Sequence, residues 1–65
     1  MKYVAVLDDN TGVYYLDNVK ELVIEDDLGM CLVRLPNDKK IICKKELLFN
    51  DIIKAYDYLY EINRL

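Results

Sequence analysis

The sequence predicts an α+β domain, in which a small antiparallel β-sheet of four to five strands is followed by one C-terminal α-helix packed on it. Short runs of β-branched and aromatic residues, separated by turns rich in Asp, Asn and Gly, fill roughly the first 45 residues. Beyond them the apolar residues recur with the spacing of a helix. A chain of 65 residues has room for one domain, so we expect a single domain over residues 1–65.

Each predicted strand is bounded by turn residues. The predicted strands are residues 2–7, 13–16, 21–25, 30–35 and 40–43. The first has apolar residues on both faces, so we expect a central strand that is covered on both sides. In the turn after it, Gly12 is expected to supply a positive φ, and Gly29 closes the third turn. Residues 17–20 are predicted to form a bend.

The predicted helix has an unusually broad apolar surface. From Glu46 onward the apolar positions are Leu48, Phe49, Ile52, Ile53, Ala55, Tyr56, Leu59, Tyr60 and Ile62. They cover an arc of roughly 180°, whereas a helix on a sheet needs an apolar stripe of about 100° or a little more. The extra width of the apolar arc predicts either a helix packed deeply across the sheet or a second apolar surface that contacts a partner. A homodimer through the helix is one form of this expectation.

The charges are unevenly distributed along the chain. The net charge of −3 argues against a general nucleic-acid binder, which normally carries a basic surplus. Residues 1–33 hold two Lys and seven acidic residues. A solvated surface is the common explanation, and an acidic face that meets a basic partner is the functional alternative. The turn residues Asp8, Asp9, Asp26 and Asp27 are therefore candidate protein-binding residues.

Catalytic and metal-binding chemistry has little support in the composition. The chain contains no His and no Ser, which removes the usual triads and most zinc sites. We therefore expect no enzyme, no cofactor and no metal site. Two thiols, Cys31 and Cys43, lie on neighbouring predicted strands. A three-residue turn at 36–38 would place them opposite each other, and a two- or four-residue turn would place them on opposite faces. Buried free thiols are the common case, and a redox switch is the alternative.

Six tyrosines are the most unusual feature of the composition. Tyr is enriched at the centre of interfaces because it offers a large rigid area with a polar tip. Tyr58 falls on the polar arc of the predicted helix, and either Tyr14 or Tyr15 must face away from the core. These three are candidate protein-binding residues, and the alternative is that Tyr takes the place of Phe in a small core.

Four lysines of the last predicted hairpin suggest a different partner. Lys39, Lys40, Lys44 and Lys45 could lie along a nucleic-acid backbone. Lysines more commonly protect an exposed sheet edge, and the acidic first half opposes nucleic acid. We therefore do not expect nucleic acid as the partner.

A longer segment resembles a known family. The runs E21-L-V-I-E25, L32-V-R-L-P-N-D-K-K40 and K44-K-E-L-L resemble, in order and spacing, the small flagellar proteins called FlbD or SwrD. The turns depart from that pattern, since DDNTG and PNDKK stand where the family has Asn-Gly. The resemblance implies a motility-linked interaction protein without catalytic activity. The chain is also similar in strand content to LytTR DNA-binding domains, which are longer and more basic.

Together these features predict a small non-enzymatic regulatory protein that acts by binding another protein. The first apolar run ends at Asp8, too early for a signal peptide or a membrane span, so we expect a cytoplasmic protein. The alternative is a phage-encoded inhibitor of a host nucleic-acid enzyme or defence system, whose acidic face mimics DNA. A small nucleic-acid-binding domain is the second alternative.

Overall fold

Two three-stranded antiparallel sheets and one C-terminal helix make up the part of the chain described by the computed structural model, residues 1–64. The elements are β1 Tyr3–Val6, β2 Val13–Leu16, β3 Glu21–Glu25, β4 Met30–Arg34, β5 Lys40–Lys44, β6 Leu48–Phe49 and α1 Ile52–Asn63. The predicted α+β class with a C-terminal helix is confirmed. The strands divide between two sheets, however, where the sequence led us to expect one sheet of four to five strands.

The first sheet has the strand order β2-β1-β6, so β1 is central, as predicted. Its two faces are covered by different layers. Val4 and Val6 belong to a buried cluster with Ala55 and Leu59 of the helix. Ala5 belongs to a second cluster that reaches into the other sheet. The mixed apolar pattern of β1 thus results from its position between the helix and the second sheet.

The second sheet is a meander with the order β3-β4-β5, and it packs on the back of the first. The buried residues between the two sheets are Ala5, Leu16, Val19 and Val33. The chain passes from one sheet to the other through the predicted bend at 17–20, where Asn18 has a φ of 59°. Asn tolerates this left-handed conformation better than most residues, and the bend turns β3 out of the first sheet.

The turn between β1 and β2 differs from the prediction in one residue. Asn10, with a φ of 60°, takes the left-handed conformation, so the expectation that Gly12 would do so was wrong. The Thr11 hydroxyl and N–H both donate to the Asp9 carboxylate, at 2.7 and 3.1 Å, and this fixes the turn around Asn10. The turn before β4 follows the prediction, because Gly29 has a φ of 64°.

The helix begins later than its apolar spacing indicates. Residues 45–47 form a short 3₁₀ turn, and Leu48 and Phe49 form β6, which pairs with β1. The helix starts after Asp51, whose Oδ1 accepts a hydrogen bond from the Ile53 N–H at 2.9 Å. The predicted start at Glu46 was therefore wrong, because pairing with β1 satisfies the backbone of residues 48 and 49 better than an uncapped helical turn.

Candidate protein-binding surface

The side of the helix that faces solvent carries large apolar and aromatic residues. Ile53, Tyr56 and Tyr60 stand at i, i+3 and i+7, so they share one side of α1. All three are exposed, Tyr60 by 69%. Tyr15 of the edge strand β2 lies beside them, and its hydroxyl oxygen is 3.5 Å from that of Tyr56. We call these four residues the tyrosine face.

The tyrosine face is held by the packing beneath it. Tyr15 lies opposite Val4 in the β1–β2 pairing, and Val4 packs on Ala55 and Leu59 of the helix. The small Ala55 side chain, completely buried, lets the helix approach the sheet closely. As a result, helix and edge strand place their tyrosines side by side.

The hydroxyl groups of the tyrosine face stay available as hydrogen-bond partners. The hydrogen bond with Tyr56 is the main cause that raises the pKa of Tyr15 above its ordinary value of 10.0, with smaller contributions from desolvation and from the charge of Tyr56. Tyr15 is therefore neutral at physiological pH. The surface is thus apolar in its bulk and carries hydroxyl groups at the tips of its side chains, which is the composition of an interface core.

The structure separates the three tyrosines that the sequence nominated. Tyr15 belongs to the tyrosine face. Tyr14 points to the opposite side of the first sheet, where its hydroxyl lies 3.4 Å from Lys39 Nζ. Tyr58 is half-buried against the helix-side core, with its ring centroid 5.7 Å from that of Phe49. The placement of Tyr58 on a polar, outward arc was therefore wrong.

Sequence reasoning missed Tyr56 and Tyr60 as surface residues. They were assigned to the apolar arc, and that arc was too wide for the sheet. The helix packs on the sheet through Ala55 and Leu59, at the opposite edge of this arc, and through Tyr58 just beyond it. The excess width of the arc, with Tyr56 and Tyr60, therefore faces solvent. The breadth of the arc was the available signal, and it indicated a second surface without showing which flank would form it.

The nominated aspartates lie in turns and make local contacts. Asp26 Oδ1 is 2.6 Å from Lys45 Nζ, and this hydrogen bond and charge raise the pKa of Lys45. Asp8 lines a cavity together with Cys43 of β5. Hydrogen bonds from Thr11 hold the pKa of Asp9 below its ordinary value. Asp27 is exposed in the β3–β4 turn. The four aspartates therefore divide between two separate turns, and one of them, Asp26, is paired with a lysine.

The lysines of the last hairpin are also dispersed. Lys39 approaches Tyr14, and Lys45 pairs with Asp26. Lys40 and Lys44 occupy the two ends of β5. With a rise of about 3.3 Å per residue they stand about 13 Å apart. Lys45 is therefore paired with an acid, and the other three positive charges stand at the two ends of β5, Lys39 and Lys40 at one end and Lys44 at the other.

The two thiols stand opposite each other. Leu35 N–H donates to the Lys39 C=O, which closes a three-residue turn and pairs Cys31 with Cys43. Both cysteines are free, and Cys31 is buried. Burial raises the pKa of the Cys43 thiol to about 11, with contributions from Cys31 and the charge of Asp8. The first of the two registers left open by the sequence is the one adopted.

No group of three or more His, Cys, Asp or Glu side chains that could hold a metal ion occurs within residues 1–64. The helices within the same range are too short, or too polar, to span a bilayer. Comparisons with family models, with curated proteins and with solved structures find no match to this chain.

Proposed function

We propose that this chain is a small non-enzymatic regulatory protein that binds a partner protein through the tyrosine face. The observation that carries the proposal is the contact between Tyr15 and Tyr56, which joins aromatic residues of two different elements into one exposed surface. Tyr and other large side chains at a rigid, partly apolar surface are typical of binding hot spots.

The rigidity of the surface supports a binding role. Each tyrosine has only two rotatable side-chain bonds, so holding it in an interface costs little conformational entropy. The backbone beneath Tyr15 is paired with the central strand, and the helix beneath Tyr56 is anchored by Ala55 and Leu59. A partner would thus meet a preformed surface and would not have to order it.

The non-enzymatic part of the proposal rests on the composition and on the thiols. The chain has no His and no Ser, and the raised pKa of Cys43 keeps that thiol protonated, and a weak nucleophile, at neutral pH. We further propose a cytoplasmic location, which the low cysteine content supports, because small secreted domains of this size are commonly rich in disulfides. The resemblance to the flagellar FlbD or SwrD family supports a motility-linked form of this role.

Site-specific photo-crosslinking in the producing cell tests the proposal. A photo-reactive residue replaces Tyr56 or Tyr60 in one pair of variants. In a matched pair it replaces Lys54 or Glu61, which are also exposed but lie on a different side of the helix from the tyrosines. We expect one shared protein adduct from the first pair and none from the second. An adduct that forms equally well from both pairs contradicts a specific tyrosine face.

The captured protein then allows a quantitative test. Binding should weaken at least tenfold for Tyr60→Ser and stay within about twofold for Glu61→Ser, since hot-spot truncations exceed about 1.4 kcal/mol. Unchanged binding by Tyr56→Ser/Tyr60→Ser, with a native circular dichroism spectrum, would refute the proposal. Loss of binding on neutralising Asp8, Asp9, Asp26 and Asp27 instead would identify the acidic inhibitor as the correct alternative.

A further inference from the structure

The second sheet has one face that no part of residues 1–64 covers. Its inner face supplies Val33 and Cys31 to the core, so the alternate residues of each strand point outward. Val23, Leu32 and Ile42 stand in register across the three strands and form an apolar row on this outer face. Ile42, at the edge strand, is 69% exposed. The helix lies on the far side of the first sheet and does not shield the row.

Charged residues flank the apolar row in a regular arrangement. The row on one side is Glu21, Arg34 and Lys40, and the row on the other side is Glu25, Met30 and Lys44. The strand β3 therefore contributes only acids to these flanks, and β5 contributes only lysines. Arg34 on the central strand pairs with Glu21 at 3.2 Å, so it keeps a partner within its own chain. The outer face thus has an acidic edge and a basic edge on either side of an apolar centre.

We propose that a second copy of this chain covers the outer face, related to the first by a two-fold axis that runs parallel to the strands. This axis reverses the strand order and keeps the rows in register, so β3 of one copy faces β5 of the other. Glu25 then faces Lys44 of the second copy, and Glu21 faces Lys40. The two Arg34 side chains meet near the axis, each still paired with Glu21 of its own chain. The apolar rows meet directly, because Val23 faces Ile42 and Leu32 faces its own equivalent. Such a self-complementary contact is what a two-fold dimer requires.

The charge pattern selects this axis over its alternative. The alternative two-fold axis also lies in the plane between the two outer faces but runs perpendicular to the strands. This axis would exchange the two charged rows. Glu21 would then face Glu25 of the second copy, and Lys40 would face Lys44. Like charges placed opposite each other oppose association, whereas opposite charges favour it and fix the register. Aligned packing of two sheets, at a crossing angle of about 30°, is also the common geometry of β-sandwiches.

The size of the outer face sets the expected strength of the dimer. Leu28, 75% exposed, lies in the turn beside Met30 and Lys44 and extends the apolar area. With about ten residues on each side, the contact is at the small end of specific interfaces, which use about 20–30. We therefore expect dissociation constants on the order of 10–100 μM. The tyrosine face lies on the opposite side of the molecule, so the dimer leaves both copies of that surface open.

Paired charge reversals test the dimer and its axis together. In a dimer of the Lys44→Glu variant, Glu25 of each copy faces the introduced glutamate of the other copy. In a dimer of the Glu25→Lys variant, the introduced lysine of each copy faces Lys44 of the other. We expect each variant to associate at least tenfold more weakly than the natural chain. In an equimolar mixture, however, one copy of each variant can form a mixed dimer. In this mixed dimer positions 25 and 44 again place a lysine opposite a glutamate at both contacts. The mixture should therefore recover association close to that of the natural chain, measured by sedimentation equilibrium with one variant fluorescently labelled.

Matched controls separate this contact from a general effect of charge. Lys54→Glu makes the same charge change on the exposed helix and should leave association within about twofold. Ile42→Ser removes the most exposed side chain of the row, and we expect at least a tenfold loss of association with an unchanged circular dichroism spectrum. A natural chain that remains monomeric up to about 1 mM overturns the proposal. A mixture of the two charge variants that associates no better than either variant alone also overturns it. Stronger self-association of Glu25→Lys would indicate the perpendicular axis, in which position 25 faces Glu21 of the second copy, and would likewise overturn the proposal.

Discussion

Alkylation of Cys43 at about pH 8 is expected to be about tenfold slower in the folded protein than in the unfolded chain. The raised pKa of this thiol, about 11 against an ordinary 9.0, lowers the fraction of reactive thiolate about a hundredfold. A more basic thiolate is also a better nucleophile, and with a Brønsted coefficient of about 0.4–0.5 this returns nearly a factor of ten. The lower thiolate fraction and the higher thiolate reactivity together leave an alkylation rate about tenfold lower than in the unfolded chain.

The position of Cys43 on β5 explains the size of this effect. Its side chain is half-buried on the inner side of the second sheet, and desolvation of the thiolate is the largest cause of the raised pKa. Cys31, directly opposite, and the carboxylate of Asp8 contribute further. Cys31 itself is almost completely buried, so its alkylation should be slower still.

Peptide-level mass spectrometry after timed exposure to iodoacetamide measures each thiol separately in the natural chain. The same reaction in denaturing urea provides the unfolded reference. For the folded protein the Cys43 rate should keep rising up to about pH 11, and Asp8→Asn should increase it slightly at pH 8. A folded rate equal to the unfolded rate, or a plateau already at pH 9, would refute the reasoning.

The same shift in pKa has a consequence for stability. The unfolded chain loses the Cys43 proton near pH 9, whereas the folded protein keeps it to about pH 11. Deprotonation therefore favours the unfolded state between these values, and this part of the stability is lost as the pH rises through that window. Urea denaturation across the window should show a smaller decline for Cys43→Val than for the natural chain.

Three further predictions concern the core, the helix start and the thiol pair. Leu16→Ala removes a side chain that is 1% exposed between the two sheets, and it should cost about 3 kcal/mol in urea denaturation, against about 0.5 kcal/mol or less for the exposed Leu28→Ala. The loss for Leu16→Ala is comparable with the whole net stability of ~3–5 kcal/mol expected for so small a core. Equal losses of stability in the two variants would contradict the burial of Leu16 between the sheets. Asp51→Ala should cost about 1 kcal/mol by removing the helix cap, and Asp51→Ser, which keeps an acceptor, should recover most of it. Mild oxidation should join Cys31 to Cys43, because directly paired positions have Cα atoms about 4.5–5.5 Å apart, within the range of a disulfide. Intact mass and peptide mapping would detect the crosslink, and recovery of only intermolecular disulfides would contradict the register.

The strands could be predicted closely because their signals are local. The runs at 13–16 and 21–25 are bounded by Asp, Asn and Gly, and the structure places β2 and β3 over the same residues. The central place of β1 followed from its apolar residues on both faces. The turn at 36–38 limited the pairing of Cys31 with Cys43 to two registers, and only the folded hairpin selects between them.

The parts that were missed depend on contacts between distant residues. The strand β6 is only two residues long, and its partner β1 lies at the other end of the chain. Alternation of polar and apolar residues cannot identify so short a strand. The division into two sheets depends on the direction in which the bend at Asn18 sends the chain. Likewise, the apolar spacing does not show which side of the helix faces solvent. The packing of Ala55 and Leu59 on β1 leaves Tyr56 and Tyr60 exposed.

The pairing of β1 with β6 has a consequence for the order in which the molecule assembles. The second sheet contains only neighbouring strands, so it can form from local contacts soon after collapse. Closing the first sheet brings Val4 to Phe49 across most of the chain, and the entropy of that loop must be lost before the contact stabilises anything. The tyrosine face combines β2 with the helix, so it is complete only after this slow step. Partly folded chains, which expose their cores, would therefore lack the surface that recognises the partner.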